Sequence, residues 1–483
     1  MPNDGLQLEI RFDESSQNPF REKLENGEFS IFIEINTPSK NTAFNASASQ
    51  FFEFEVAASK VNGINVSLAF MDKLQSHDSW NVADFAAAVS KDKRKNHIIY
   101  LSGRNTPLNE LENTLSACKT YGFTNIVPVS GDGLPGENAK ETSKRVFTES
   151  LHVQEAAITR YEGAFYHGCV TNPFKYTPKD IYPQYFKLIK KLNLGANFIV
   201  TQAGWDMMKL QELRWYLSSR AMHYPSIARI LFLSPENFKL ISKGKVPGIH
   251  ISPDFQKMLE RELKYSFKQF ESAQLRRIQL QAAGCRLLGY TGVQIAGVDS
   301  PMQLSVICRR IKEAIEEFGN FEDWKNAYFE YLGRAEMAPY PDRFYMYDKL
   351  FSRAHLDFDP QMAEGNIPIC SGTEKLKYKI CDFLFPFAHK QPADESTFTK
   401  KLFAGCKGCS YCRLPLTHYI CPERCPKGIA NGPCGNTRSD GSCEFGQGEC
   451  IHTLRLRLAA WLKEIDTLEE NYIGHAYRKQ SKI

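Results

Sequence analysis

Eight short runs rich in β-branched and aromatic residues, each followed by a longer amphipathic stretch, constrain the fold of this chain more than any other feature. They occupy residues 29–35 (FSIFIEI), 64–70 (INVSLAF), 97–103 (HIIYLSG), 125–131 (NIVPVSG), 164–170 (AFYHGCV), 198–204 (FIVTQAG), 227–233 (IARILFL) and 292–298 (GVQIAGV). The segments between them, such as 109–122 (NELENTLSACKTYG) and 183–195 (PQYFKLIKKLNLG), place apolar residues three and four apart, the spacing of a helix with one buried face. Strands separated by helices pair in parallel, because each crossover returns the chain to the same end of the sheet. Eight such units predict an α/β fold, the (β/α)8 TIM barrel. An open doubly wound sheet fits less well, since no glycine fingerprint follows the first run. The seventh and eighth runs are far apart, and VPGIHIS followed by a helix near 254–285 reads as an elaborated crossover.

Such a barrel carries its chemistry at the C-terminal ends of its strands. Those ends offer Glu34, Phe70, Ser102, Asp132, Asn172, Gln202 and Asp299, against the plainer role of helix cap or loop hydrogen-bonder. Glu34 differs from the rest because it lies inside an apolar run, IFIEINTP, where an unpaired carboxylate is costly. A buried Glu with a raised pKa suits a general acid. The turn Gly131-Asp132-Gly133 lets backbone approach a planar ligand beside one carboxylate, although Gly-Asp-Gly is also ordinary turn chemistry.

The far end of the chain obeys a different logic. Eight of the fourteen cysteines fall within 45 residues, as Cys406, Cys409, Cys412, Cys421, Cys425, Cys434, Cys443 and Cys450. The segment is rich in Gly and Pro and poor in core-building residues, so it needs metal or cross-links to hold a shape. Its opening C-x2-C-x2-C and later Cys-Pro pairs are closer to an iron–sulfur run than to a zinc finger, and eight thiolates suffice for two four-cysteine sites. An iron–sulfur cluster, structural zinc and a disulfide framework all stay open, the last disfavoured by the lack of a secretory signature. Cys118, Cys169, Cys285, Cys308, Cys370 and Cys381 are scattered and read as small buried apolar residues.

At 483 residues the chain is long for one domain. Divisions are expected at 1–335 for the barrel, 336–395 for a connector with helices, and 396–483 for the cysteine-rich, metal-binding domain. The connector is expected to dock that domain on the barrel, with a solvated linker near 390–397 and a closing helix over 452–472. A net charge of +5 with no basic tract argues against a nucleic-acid partner. The N-terminus lacks a signal pattern, and no run approaches the ~18 apolar residues of a membrane span. A cytoplasmic location is expected.

FSIFIEINTP, TPLNELENTLSACKTYGFTNIVPVSGD, NLGANFIVTQAGWD and PSIARILFLSPENFKLISKGKVPGIHIS occur in the order of linked motifs in one family. Through them, roughly the first 315 residues resemble the methylenetetrahydrofolate reductase family, a flavin-containing barrel. CPERCPKGIANGPCG and GSCE resemble the cysteine-rich partner subunit or C-terminal extension found with some bacterial members. The resemblance implies flavin-dependent reduction of 5,10-methylenetetrahydrofolate to 5-methyltetrahydrofolate. It makes Glu34 the general acid that protonates a folate nitrogen as the methylene bridge opens, and Asp132 the acid beside flavin and pterin. Gln202 would contact folate and Lys191 the flavin phosphates, with Tyr100, Ser102 and Asn172 as further cofactor-binding positions.

Four departures thin the expected cofactor contacts: Tyr100 for a histidine, Ser130 for an arginine, Ala69 for a threonine and Ser300 for an arginine. They leave FAD against FMN open and weaken direct use of NADH. The partners implied are the folate and a ferredoxin-like electron donor protein, with a homo-oligomer left open. Two alternatives stand beside this reading: a non-catalytic flavin- or folate-binding accessory protein, and a barrel carrying a zinc-held dimerisation module.

Overall fold

All eight β-rich runs form strands: β1 Ser30–Asn36, β2 Asn65–Met71, β3 Ile98–Ser102, β4 Asn125–Val129, β5 Tyr166–Thr171, β6 Phe198–Thr201, β7 Ser226–Leu231 and β8 Gly292–Ala296. They pair in parallel in chain order, and β8 returns to β1 with Ser30 opposite Gly292, closing the barrel. The computed structural model describes residues 18–474 apart from 74–75, 77, 135, 334, 340–342, 357–361, 363–364, 387–397, 410–411, 439–440 and 447. The N-terminal stretch through residue 17 and the expected linker at 390–397 lie outside the described residues.

Side chains alternate across a strand, so each run divides into two sets. Ile31, Ile33, Ile35, Leu68, Phe70, Ile99, Leu101, Ile230 and Ile295 face outward and pack under the helices. Phe32, Ile98, Val127, Tyr166, Phe198, Val200 and Ile227 face inward and fill the lower barrel. Two glycines make that filling feasible: a Cβ on Gly168 would stand 2.4 Å from the Phe198 ring, and one on Gly292 would stand 2.6 Å from the Ser30 carbonyl. The short helix Pro19–Glu25 plugs the bottom, with Phe20 centred 5.4 Å from Phe32 and 5.3 Å from Phe198. Burying Phe20 and Leu24 there contributes roughly 2 kcal/mol each. Above this apolar floor, two residues further along the same inward rows, come Glu34, Tyr100, Arg229 and Gln294.

The long β7–β8 crossover holds three helices, Pro235–Ser242, Pro253–Tyr265 and Phe267–Leu287. The single helix expected near 254–285 is therefore two. Ser266 breaks it with extended backbone (φ −173°, ψ 160°) and caps the second piece by accepting the Gln269 N–H at 3.1 Å. The expected closing helix also divides, into Ile451–Leu462 and Thr467–Glu470, because Lys463 adopts a left-handed conformation at φ 61°.

The cysteine-rich region docks on the barrel directly, and not only through the connector. Its loop at 430–432 meets Glu149 and the helix Pro178–Asn193: Glu149 accepts the Ala430 N–H at 3.0 Å, Lys187 Nζ donates to the Gly432 carbonyl at 3.1 Å, and Lys190 Nζ donates to the Asn431 carbonyl at 3.3 Å. Leu456, Ala459 and Leu468 pack against Phe186 of the same helix. This contact explains why Pro178–Asn193 is buried nearly all round, lysines included. The connector holds both ends. Tyr345 donates to Asp206 at 2.7 Å on the barrel side, and in the helix Gly372–Leu384 Asp382 accepts the Tyr419 hydroxyl at 2.9 Å. Among the described residues no helix is long and apolar enough to cross a membrane.

Candidate active site at the barrel mouth

The inward rows place a charged pair above the apolar floor. Arg229 Nε and Nη2 donate to the two oxygens of Glu34 at 2.5 and 2.8 Å, a fork that matches the carboxylate. Gln294 Nε2 donates to Glu34 Oε1 at 2.6 Å and accepts the Tyr100 hydroxyl at 2.8 Å, while Arg229 Nη1 donates to Gln202 Oε1 at 2.6 Å. Burial works against the charge on Arg229, but the Glu34 carboxylate outweighs it and holds the guanidinium pKa above its ordinary value. The premise that Glu34 is an unpaired buried carboxylate is thus corrected: it accepts three hydrogen bonds, two of them from a cation. Oε1 accepts two of these bonds and Oε2 one.

Above this network opens a cleft with about 1040 Å³ of empty space, including the part open to solvent. Tyr100, Ser102, Asp132, Asn172, Lys191 and Gln202 all line it, so one cavity gathers six of the residues picked from strand ends and motifs. Glu34 lies beneath, reached through Arg229 and Gln294. Phe70 packs outward under the helices, and neither it nor Asp299 lines the cleft.

Each lining group has a definite setting. Lys191 Nζ donates to the Val170 carbonyl at 2.6 Å, and burial lowers its pKa to about 8. Asn172 is committed to structure: its amide donates to the carbonyls of Gly248 at 3.0 Å and Gly435 at 2.8 Å and accepts the Phe174 N–H at 3.1 Å. The Asp132 carboxylate accepts from Asn436 Nδ2 at 2.5 Å and has Lys427 Nζ at 3.7 Å, both from the cysteine-rich region. A Cβ on Gly133 would sit 2.6 Å from the Phe445 ring, so the glycine after Asp132 makes room for that region. Two of the departures have plain uses: Ser130 accepts the Ser150 N–H at 3.0 Å, and Ser300 accepts the Gln303 N–H at 3.2 Å.

Several groups in the mouth escape a reading by strand ends. Arg229 and Gln294 carry the same signal that singled out Glu34, a polar residue on the inward parity of an apolar run. Asp72 lies just past β2, where its carboxylate accepts the Ser102 N–H at 2.9 Å and burial pushes its pKa up to about 6. Pro433, Cys434, Gly435 and Asn436 enter the cleft from 139 residues or more beyond Gln294, the barrel residue of the lining nearest to them in sequence. No local pattern could have announced them.

The mouth has unmet polar capacity that a large polar cofactor would use. Thr171 Oγ1 and Gln184 Oε1 are buried in its lining and find no hydrogen-bond partner among the described residues. All fourteen cysteines, the eight of the cysteine-rich end included, are free, so no disulfide framework is formed. Among the described residues no group of three or more His, Cys, Asp or Glu is placed to hold a metal ion, so a single-ion site at the eight cysteines is not formed as the side chains stand.

The profile of the family described as "Methylenetetrahydrofolate reductase" matches residues 20–267, and that described as "Methylene-tetrahydrofolate reductase C terminal" matches residues 385–477. Curated proteins give no match. Among solved structures, an uncharacterized protein from Clostridium thermocellum, described as binding two copies of 5-methyl-5,6,7,8-tetrahydrofolic acid, is similar at 14% identity over 62% of this chain and 99% of its own, with a TM-score of 0.43.

Proposed function

The chain belongs to the methylenetetrahydrofolate reductase family, and from that premise we propose that it reduces 5,10-methylenetetrahydrofolate to 5-methyltetrahydrofolate with a flavin bound in the barrel mouth. The observation that carries this reading is the gathering of Tyr100, Ser102, Asp132, Asn172, Lys191 and Gln202 around one cleft, directly above Glu34. The unmatched Thr171 and Gln184 oxygens and the buried Lys191 ammonium suit a polar, phosphate-bearing cofactor, FAD or FMN. The chemistry a bound flavin supplies is hydride delivery to the opened methylene carbon.

The chain's own residues do the rest. Gln202 offers an amide that can both donate to and accept from a pterin edge. Its Oε1 is held by Arg229, so a pterin that competes for Gln202 also loosens the guanidinium from one side. Loosening matters because Arg229 forks both Glu34 oxygens, and freeing one of them opens Glu34 to the folate nitrogen. Asp132, tied to Asn436 and near Lys427, keeps a fixed carboxylate at the rim. The cysteine-rich region is proposed to bring electrons in through an iron–sulfur cluster or to dock a ferredoxin-like donor, which fits its position across the mouth.

The fork on Glu34 favours one second reading, a folate- or flavin-binding accessory protein in which the carboxylate never releases its cation. Reduced viologen with 5,10-methylenetetrahydrofolate separates the two. The reductase forms 5-methyltetrahydrofolate, and Glu34→Gln abolishes the product while flavin still binds on titration. Flavin binding without product in the unmodified chain would leave the accessory reading, and failure to bind FAD or FMN would remove the reductase.

A further inference from the structure

Where the cysteine-rich region docks on the helix Pro178–Asn193, it closes over a small cavity. Lys190 enters from the barrel, Asn431 from the docking loop, and His452 and Arg455 from the helix Ile451–Leu462, while Phe186 and Leu468 supply apolar wall. All six residues are buried, Lys190 with 3% and His452 and Arg455 with 4% of their surface exposed. The free space between them takes about one water-sized sphere.

The charges around this cavity do not balance. Glu149 is committed to Lys187, 2.8 Å away, and the two make a neutral pair. Arg455 donates from Nη1 to the Ala430 carbonyl and from Nη2 to the Leu416 carbonyl at 3.4 Å, and the Lys190 ammonium is matched by the Asn431 carbonyl at 3.3 Å. Those acceptors are neutral. Among the described residues Glu149 is the single carboxylate whose charge bears on Arg455 or Lys190, so two buried cations stand without an anion of their own. Burial of a cation is costly unless an opposite charge accompanies it.

Donor capacity points the same way. Arg455 Nε and His452 Nε2 are buried without a hydrogen-bond partner among the described residues, and both belong to side chains that line the cavity. The arginine nitrogen can only donate, the histidine nitrogen donates as the Nε2–H tautomer, and Lys190 has ammonium protons beyond the one given to Asn431. A space of this size excludes a phosphate or a carboxylate and suits a monatomic anion. A water molecule would fit too, but it would leave the charge of Lys190 and Arg455 uncompensated. Burial and the Arg455 charge lower the Lys190 pKa to about 7, the response of a cation short of a partner.

We propose that this cavity is a halide site, in which Lys190, His452 and Arg455 hold one chloride ion and pin the cysteine-rich region to the barrel. The site is independent of the folate and flavin chemistry. Two residues beyond Asn431 the chain enters the barrel mouth at Pro433, so halide occupancy should steady the cover of the mouth.

Bromide serves as the first probe. Crystals of the full chain soaked in sodium bromide should give an anomalous peak at the bromine edge enclosed by Lys190, His452 and Arg455; density there without an anomalous signal is water and overturns the proposal. In solution, hydrogen exchange on peptides spanning 425–437 is compared in sodium chloride and sodium gluconate at equal ionic strength. Exchange should slow about tenfold once chloride stands at about ten times its dissociation constant. Lys190→Met should abolish the difference between the salts, and a difference that persists in that variant overturns the assignment. If the variant fails to fold, pH supplies the check on the unmodified chain. Arg455, Lys187 and Glu149 surround Lys190, with His418 also in electrostatic reach, and an added anion favours the protonated amine. Halide affinity should therefore weaken by up to about tenfold per pH unit as pH rises above about 7. Equal exchange in the two salts on both sides of that pH refutes the site. A peak seen only at molar bromide, with no effect in solution, marks an adventitious ion only and refutes it as well.

Discussion

Glu149→Gln tests how the two halves of the chain are held together. The Glu149 carboxylate lies 2.8 Å from Lys187 Nζ, with 2% and 3% of the two side chains exposed. It also accepts the N–H groups of Ala430 and Asn431 at 3.0 and 3.2 Å and the Asn431 amide at 3.1 Å. Removing one partner of such a buried pair leaves the other charge uncompensated, at a cost of about 3–5 kcal/mol. The loop at 430–436 is where that cost is felt, so its opening free energy should fall by about that amount, which corresponds to exchange of its amide hydrogens on the order of 10²- to 10⁴-fold faster. Hydrogen exchange read by mass spectrometry on peptides spanning 425–437 measures it.

Adding Lys187→Met removes the orphaned charge, and the double variant should recover part of the loss even though Lys187 also bonds Gly432. The pH dependence has a definite sign. Burial opposes the Glu149 charge, but Lys187, His152 and the hydrogen bonds outweigh it and hold the pKa below the usual carboxylate range. Its stabilising contribution is therefore present above the unfolded carboxylate value and is lost only as pH falls through the lower folded value. Exchange within tenfold of the unmodified chain, or a double variant worse than Glu149→Gln alone, would refute this picture of the docking.

Other outcomes follow from single positions. Asp72 has its pKa raised from 3.8 to about 6 by burial, so the native state holds its proton longer and stability falls as pH rises through that window; Asp72→Asn should flatten the fall and add roughly 3 kcal/mol at neutral pH, seen in urea titrations at pH 4 and 7. Gly133→Ala puts a methyl against the Phe445 ring and should cost about 1–3 kcal/mol, relieved by Phe445→Leu in the same denaturation assay. Lys463→Gly should stabilise by up to about 1 kcal/mol, because only the left-handed backbone at this helix end disfavours a side chain there.

Much of this architecture is legible in local pattern. Period-two alternation in eight runs, with helical spacing between them, is enough to find every strand of the barrel, and an inward-facing Glu34 among isoleucines announces the site. The same rule applied to IARILFL and GVQIAGV would have found Arg229 and Gln294, and with them the reason Glu34 is not alone. What local pattern cannot carry is distance in the chain. Glu149 and Ala430 are 281 residues apart, and Asp132 and Asn436 are 304 apart, so the closure of the mouth by the cysteine-rich region follows from tertiary packing alone. Helix ends were missed for a smaller reason: Ser266 and Lys463 interrupt continuous apolar periodicity through backbone geometry that composition does not reveal.

The central claim is that the barrel mouth holds a flavin above a Glu34 able to donate a proton once Arg229 releases it. A single-turnover experiment reaches it most directly: the protein, loaded with flavin and reduced without oxygen by exactly titrated dithionite, is mixed with 5,10-methylenetetrahydrofolate and the flavin absorbance is followed. Return of the oxidised flavin band with one equivalent of 5-methyltetrahydrofolate in the unmodified chain, and neither in Glu34→Gln, is the predicted result. Unchanged reduced flavin in the unmodified chain, or equal reoxidation and product in Glu34→Gln, would contradict the claim.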